Sequence, residues 1–509
     1  MKAANHAGAG GSAPSATDMP AAPVLAIRPP GGSEAGASRA VHVDQSMNAG
    51  MKRITRSFLR LVGALILASA LVARPAMAQQ ILRDAETEAF LNEISRPLVQ
   101  AAGLDPRNAQ VLLINDQQIN AFTAGGQIVW LNSGLVTAAD NANQVQGVIA
   151  HELGHIEGGH VLRSGEGMKA ATGITLLSLV LGAAAMAAGG AEAGMGIIGA
   201  GQQAAMGKYL AFSRNQESSA DLAGARYLAK SGISGQGSLQ FFRKLQNLEY
   251  RYRVNDGTDD GYGTTHPMSA DRIAILSDLY EKDPAWNVKN PALVEAKFQR
   301  IKAKLFGYVS DPPQTMRTYP ESDQTIPAHY ARAYAWHKSA YPDKALAEAD
   351  ALLKALPRDP YFLELKGQIL LESGRASDAI APLREAVAQS NSQPLIAVLL
   401  SHALIATEDE RNFAEAEAVL RNAVTRDREN PFAWYQLGVV YEHRGDSARA
   451  ALATAERYSL EGNPALAKRS AETAMAGLKP GTGDYLRAQD IAMASAGEMD
   501  DGKKKKKKK

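Results

Sequence analysis

Apolar residues at Val145, Val148, Ile149, Leu153 and Ile156 recur at steps of three and four, the period of a helix with a buried face. The stretch therefore predicts a helix, and His151, Glu152 and His155 ride on it. Upstream, the pattern from Gln79 to about Pro106 is also helical. Val111-Leu112-Leu113-Ile114 is a short apolar run of the kind that forms a buried strand. Asn120 to Gly126 is turn-like, and Gln127 to Leu131 predicts a second strand that leads through Gly134-Leu135 into the helix. Two readings stay open for that strand: an edge that takes up an extended peptide by main-chain hydrogen bonds, or a plain core strand.

Two longer apolar stretches stand apart. After Met51 come Lys52, Arg53, Arg56 and Arg60, an apolar run from Leu61 to Ala73, and then Ala76-Met77-Ala78. This order of basic, apolar and small residues reads as a signal peptide over 51–78, with export to the periplasm and a mature start at Gln79. An uncleaved anchor is the alternative. Residues 1–50, rich in Gly, Ala, Ser and Pro, read as disordered or as an over-long start. The second stretch, Ala170 to Ala191, has 22 residues without a charge, nominally enough to cross a bilayer. A single crossing would put the residues before and after it on opposite sides. The following Ala193 to Gly207 is short and Gly-rich, a poor second span. Residues 170–207 are therefore expected to form a mobile helical lid with peripheral membrane contact, core packing being the alternative.

Farther on the chain repeats. Prolines crowd residues 311–328, which read as a linker. Pro360, Pro394, Pro431 and Pro464 then follow at intervals of 34, 37 and 33 residues. Trp434, Leu437, Gly438 and Tyr441 after Pro431 match the tetratricopeptide (TPR) signature, which predicts stacked helix pairs around a concave groove. Gly367 and Gly438 are expected to let paired helices approach, and the long middle interval to carry its insertion around Glu408–Asn412. The expected layout is 79–310 as one domain, 311–328 as linker, 329–478 as repeats, and 479–509 as a flexible tail ending in lysines. His329, His337, His402 and His443 fall among the repeats and read as structural or surface residues.

The net charge is +2, and without the seven lysines Lys503–Lys509 the body carries −5, so a nucleic-acid role has no electrostatic support. There is no cysteine, which excludes disulfides, thiolate metal sites and a cysteine nucleophile. A metal would have to be held by His and carboxylates.

His151 and His155 are four apart, so on a helix both imidazoles can reach one ion, with Glu152 beside them. Zinc hydrolysis needs that set: neutral nitrogens, an open coordination position and a carboxylate to take a proton from water. For a third ligand there are two candidates. His160 would point away from His151 on a continuing helix, unless Gly158-Gly159 bends the chain. Glu217 is the better one: with Asp221 it lines one face of a small-residue helix, where one carboxylate can bind metal and the other can hydrogen-bond the back of an imidazole. Arg272 could bind a substrate backbone or a carboxylate.

His151–His155, Glu217 with Asp221, and Thr265-His266-Pro267 together resemble the gluzincin peptidases of the HtpX and CAAX-prenyl-protease superfamily. With the leader and the repeats, the chain resembles the periplasmic BepA-type metalloproteases, over about residues 80–480. The resemblance implies a mainly α protein: an α+β zincin-type metalloprotease domain with a small sheet, followed by an α-solenoid of TPR helix pairs. It implies one Zn2+ per chain on His151, His155 and Glu217, with Glu152 as general base and Asp221 orienting a ligand or donating a proton. It places His266 near the metal, as a fourth ligand in a resting enzyme or, like Arg272, as an oxyanion donor. The implied clients are unfolded or misassembled outer-membrane proteins and their assembly machinery. Two rivals remain: a TPR chaperone or scaffold kept closed by His266, and a membrane-integrated prenyl-type protease.

Overall fold

The computed structural model describes residues 81–255, 266–267 and 269–507, with side chains described outside 249–255 and 502–507. The expected leader over 51–78 and residues 1–50 lie outside these residues.

β1 (Ile81–Leu82) leads into α1 (Ala85–Ala101), whose first turn is capped by Asp84, its carboxylate accepting from Thr87 N at 2.7 Å. β2 (Gln110–Ile114), β3 (Ala121–Thr123) and β4 (Ile128–Asn132) follow, then the short α2 (Ser133–Ala138) and α3 (Ala142–Glu157). The sheet order is β1-β2-β4-β3, with β2 and β4 parallel and the outer strands antiparallel to them. Val111 lies opposite Val129 and Leu113 opposite Leu131; these four side chains share a core with Leu91 and Leu98 of α1 and Val148 and Ile149 of α3. Period-two strands and a period-3.6 helix bury their apolar faces against each other.

The structure corrects two expectations here. Asn120–Gly126 is not all turn, because Ala121–Thr123 pair with β4; the turn is confined to Gly125-Gly126, both at positive φ. β4 is consequently paired on both sides and offers no edge, and β3 is the edge strand next to it.

α4 (His160–Ala187) and α5 (Ala191–Lys230) form a hairpin. The segment Ala193–Gly207, expected to be mobile, is helical throughout; Gly194 and Gly201 serve close packing against α4, while Gly196, Gly199 and Gly207 face open space. α5 is a single 40-residue helix that runs back past the start of α4, so residues on either side of the apolar stretch return to the same place. Core packing is excluded: in α4 the most apolar 18-residue window is 11% buried. α6 (Gln236–Asn255), α7 (Ala270–Glu281) and α8 (Ala292–Val309) complete the first part.

The linker expected over 311–328 contains α9 (Pro312–Thr318), which Pro312-Pro313 start, since a proline in the first turn loses no helical hydrogen bond. Lys338 donates to the carbonyls of Tyr308 and Ser310 at 2.7 Å each, binding the first repeat helix to α8. The solenoid comprises α10 (Ile326–Lys338), α11 (Pro342–Ala355), α12 (Pro360–Glu372), α13 (Ala376–Gln389), α14 (Pro394–Ala406), α15 (Glu410–Arg426), α16 (Pro431–His443), α17 (Ser447–Leu460), α18 (Pro464–Gly477) and α19 (Gly483–Lys507). The repeat prolines open α12, α14, α16 and α18, and the residue before each (Asp359, Gln393, Asn430, Asn463) caps that helix with its side chain. α15 has 17 residues against 14 in α13, which absorbs the longer middle interval. A Cβ on Gly367 would lie 2.3 Å from Leu383, so that glycine is needed for close packing; at Gly438 the nearest atom is 3.6 Å away, and it is not. The tail expected to be flexible from 479 is instead helix α19, because Ala488 and Ile491 bury against the last pair and Arg487 donates to Glu456.

A buried ionic cluster joins the two parts. Glu86 accepts from Tyr330 Oη at 2.7 Å and pairs with Arg300 and Lys304; Arg300 also holds Asp359 at 2.7 Å, and Lys304 holds Asp84. Lys304 is 5% and Glu86 3% exposed, so neither charge has water to fall back on. Replacing Glu86 by Ala is expected to cost about 3–5 kcal/mol in denaturant unfolding, because the buried Lys304 and the partly buried Arg300 both lose a partner. Asp278→Ala, which breaks the exposed pair with Lys282, should cost less than about 1 kcal/mol. Equal losses would show that the cluster does not hold the two parts together.

Candidate metal centre

α3 is buried along nearly its whole length, and its first turn is capped by Asn141, which accepts from Gln144 N at 3.0 Å. It presents His151 and His155 to α5. The two helices touch backbone to backbone: a Cβ on Gly154 would lie 2.7 Å from the Ala220 carbonyl oxygen, and one on Gly224 3.0 Å from the Ala150 carbonyl carbon. Only small residues permit that approach, and it brings Glu217 up to both imidazoles.

His151 Nε2 lies 3.2 Å from His155 Nε2 and 3.4 Å from Glu217 Oε2, and His155 Nε2 lies 3.4 Å from Glu217 Oε1. His266 enters just ahead of α7, its Nδ1 3.3 Å from His151 Nε2 and 3.1 Å from Glu217 Oε1. The donor atoms of these four buried residues all lie within 4.8 Å of one another. A tetrahedral zinc at about 2.0–2.1 Å from each of four donors requires them to stand roughly 3.3 Å apart. The nitrogen and oxygen set therefore fits such an ion by spacing and by chemistry.

The surrounding groups hold this arrangement. His151 Nδ1 lies 3.0 Å from Asp221 Oδ1, and Arg272 grips Asp221 through two hydrogen bonds of 2.6 and 2.8 Å while lying 3.1 Å from Glu217 Oε2. Despite the burial that opposes it, Arg272 and His151 hold the Asp221 carboxyl below its usual range. Glu217 is likewise held well below the usual carboxylate range, burial being outweighed by His266 and His151. Burial, and then the charge of His151, push His155 down to about 2, so its imidazole is neutral, the form that could bind a metal. His151 is raised to about 10 because Asp221 and Glu217 outweigh its burial; the same two carboxylates would favour a metal cation. Glu152 is wholly buried beside the four donors with neither carboxylate oxygen hydrogen-bonded, and burial raises its pKa. His266 Nε2 is 3.5 Å from Glu152 Oε1.

Two sequence expectations shift. Arg272, a candidate substrate contact, is 7% exposed and committed to Asp221, Glu217 and the Pro267 carbonyl. The chain does bend at Gly158-Gly159, with Gly159 at φ 61, but it brings His160 to the far side of His155, Nδ1 to Nδ1 at 3.0 Å. His160 therefore backs His155 and is not one of the four clustered donors. Its place five residues on from His155, across a double glycine, is the sequence signal for this role. Phe242 of α6, which packs edge-on to the His151 ring at 5.7 Å, carries no signal in the sequence. His329 and His337 pair with Glu348 and Glu372, and His443 stacks on Phe413, all within the repeats.

Comparison with known proteins covers both parts of the chain. The family description "Peptidase family M48" matches residues 49–280, and "Tetratricopeptide repeat" matches 340–394 and 406–467. The chain is 27% identical to the beta-barrel assembly-enhancing protease of Yersinia pestis over 383 residues, 73% of this chain and 76% of that one. The protein of the same name from Escherichia coli K12 is 25% identical over 396 residues, 75% and 77% of the two chains. Metalloprotease LoiP of Escherichia coli K12 is 31% identical over 196 residues, 38% of this chain and 70% of that one.

The helix contact and the backing histidine are separately testable by metal content. Gly154→Val should drive α3 from α5 and abolish stoichiometric metal with helical circular dichroism retained; full occupancy would refute the contact's role. His160→Ala should weaken metal affinity about 10–100-fold, the usual cost of losing a partner behind a ligand. An unchanged affinity would reduce His160 to packing.

Proposed function

Because the chain belongs to peptidase family M48 and is a metalloprotease, we propose that it is a zinc-dependent endopeptidase whose repeats hold an unfolded client. His151 and His155 through Nε2, and Glu217 through its carboxylate, would hold one zinc ion. The observation that carries this reading is the 3.1–3.4 Å spacing of the His151, His155 and Glu217 donors from one another and of His266 Nδ1 from His151 and Glu217. Bound zinc supplies Lewis acidity, polarising the scissile carbonyl and making water more acidic. Glu152, ionised, takes a proton from the attacking water and then passes it to the leaving amine, so one water is consumed per peptide bond. Asp221 keeps the His151 ring turned with Nε2 forward, and Arg272 keeps Asp221 ionised while it does so. An ionised Asp221 in that clamp orients a ligand and is not a proton donor.

The client side rests on a cavity of about 900 Å3 between the sheet edge and the concave solenoid. Leu82, Tyr334, Tyr361, Leu395 and Phe432 line it with Glu364, whose burial raises its pKa to about 8. Relatives named for enhancing beta-barrel assembly align over both parts of the chain, which supports outer-membrane proteins and their assembly machinery as clients. The leader over 51–78 supports a periplasmic location. A second reading has one observation behind it: His266 Nδ1 already stands in the fourth donor position, which supports a closed resting site.

In a casein or unfolded-porin cleavage assay, Glu152→Gln should lose at least about 100-fold in rate with metal content unchanged. His266→Ala should cleave several-fold faster than the parent. Wild-type rates in Glu152→Gln would overturn the hydrolytic mechanism, and loss of activity in His266→Ala would make His266 part of the chemistry instead of a plug.

A further inference from the structure

α4 and α5 are arranged inside out for a helix pair in water. The residues of α4 that are buried are His160, Gly167, Ser178 and Gly182, whereas Leu176, Leu177, Leu179, Val180 and Leu181 are 43–66% exposed. Small residues make the contact: a Cβ on Gly201 would lie 2.0 Å from Ser178 Cβ, and one on Gly194 2.6 Å from the Gly182 carbonyl oxygen. Close approach through Gly and Ser, with large apolar side chains outward, is how helices pair in lipid.

The direction of those outward side chains identifies what covers them. Leu179, Val180 and Leu181 are consecutive and so point about 100° apart; Leu176 and Leu177 fall between them, and the arc left over carries Ser178 and Gly182 against α5. The apolar arc is about 200° wide, broader than the roughly 100° stripe by which a helix packs on a protein core, whereas hydrocarbon covers all of a helix that its partner leaves open. The charges agree. From Ala170 to Ala191 there is none, from Ala193 to Gly207 there is none, and Glu192 stands alone at the hairpin turn. At the protease end of α4 Arg163 pairs with Glu166 at 3.3 Å and Lys169 follows, and Lys208 and Arg214 lie at the matching level of α5, so the collar is net positive. Gly167 meets Phe212 and Ser178 meets Gly201, so Lys169 and Lys208 stand within about 3 Å of the same height. The uncharged part rises about 22–27 Å above this basic collar, close to the roughly 30 Å of a hydrocarbon core.

We infer that the α4–α5 hairpin is a membrane anchor that enters an anionic bilayer tip first, with Lys169 and Lys208 at the headgroups. Lys169 is nine residues after His160 on α4, so the candidate centre would stand about 13–14 Å above the membrane surface. This inference does not depend on the centre's being hydrolytic.

The test uses the full chain from Gln79 and vesicles of phosphatidylethanolamine with phosphatidylglycerol. The absence of cysteine allows one fluorophore at Val180→Cys and, separately, one at Lys208→Cys. The chain is expected to float with the vesicles, the label at 180 to shift to the blue, and the label at 208 to shift much less. Leu177→Glu with Val180→Glu and Leu181→Glu, all at exposed positions, should reduce binding at least about tenfold while cleavage of a soluble peptide is unchanged. Lys169→Glu with Lys208→Glu should weaken binding to these vesicles about tenfold and leave binding to phosphatidylcholine vesicles little altered. Failure of the parent chain to float, or equal flotation of the triple variant, overturns the anchor. A label at 180 that shifts only with unfolded client, or only with protein concentration, assigns the face to a client or to a second copy and equally overturns it.

Discussion

The contact on which the rest of the molecule depends is the backbone-to-backbone crossing of α3 and α5. Gly154 against Ala220, and Gly224 against Ala150, leave no room for a side chain between the two helices. That closeness places a carboxylate from one helix within 3.4 Å of two imidazoles from the other. Three buried polar groups drawn together in this way would be costly without a cation or a web of hydrogen bonds. The structure provides such a web. Asp221 stands behind His151, Arg272 behind Asp221 and Glu217, and His160 behind His155.

Glu152 is the exception to this pattern of satisfaction. Every other acid in the cluster is held by a cation, while Glu152 is buried with both oxygens lacking a hydrogen bond and its pKa raised. A structural carboxylate in such a place would be a liability, since buried polar groups without partners destabilise a fold. With its charged form not over-stabilised, such a carboxylate suits the proton-transfer role proposed for it above.

α5 serves two tasks along its length. Near the sheet it builds the donor cluster with α3; beyond it α5 pairs with α4, and the two part from the core and carry their apolar side chains outward. His160 sits where these tasks meet, as the first residue of α4 and the partner of His155. On the opposite side the ionic cluster around Glu86 sets the solenoid against α1 and α8 and so defines the cavity between them. Cavity and donor cluster are thus linked through the packed helices α1 and α8.

The helix at 142–157, the paired strands and the repeat helices were legible from the sequence because each depends on a local period, and a period survives without knowledge of what lies opposite. The histidine pair and the repeat phase, marked by a proline after each capping side chain, belong to the same class. What could not be read locally is whatever two distant segments decide between them. The turn-like Ala121–Thr123 becomes a strand only because β4 lies beside it, and the apparent tail becomes a helix because Ala488 and Ile491 find a surface. Arg272 looked free to meet a substrate until Asp221 and Glu217 claimed it, and His160 turned from candidate ligand to backing group through the bend at Gly159. Composition and spacing determined which groups could do chemistry; the tertiary fold decided which of them meet, because desolvation and close approach act on neighbours in space and not on neighbours in the chain.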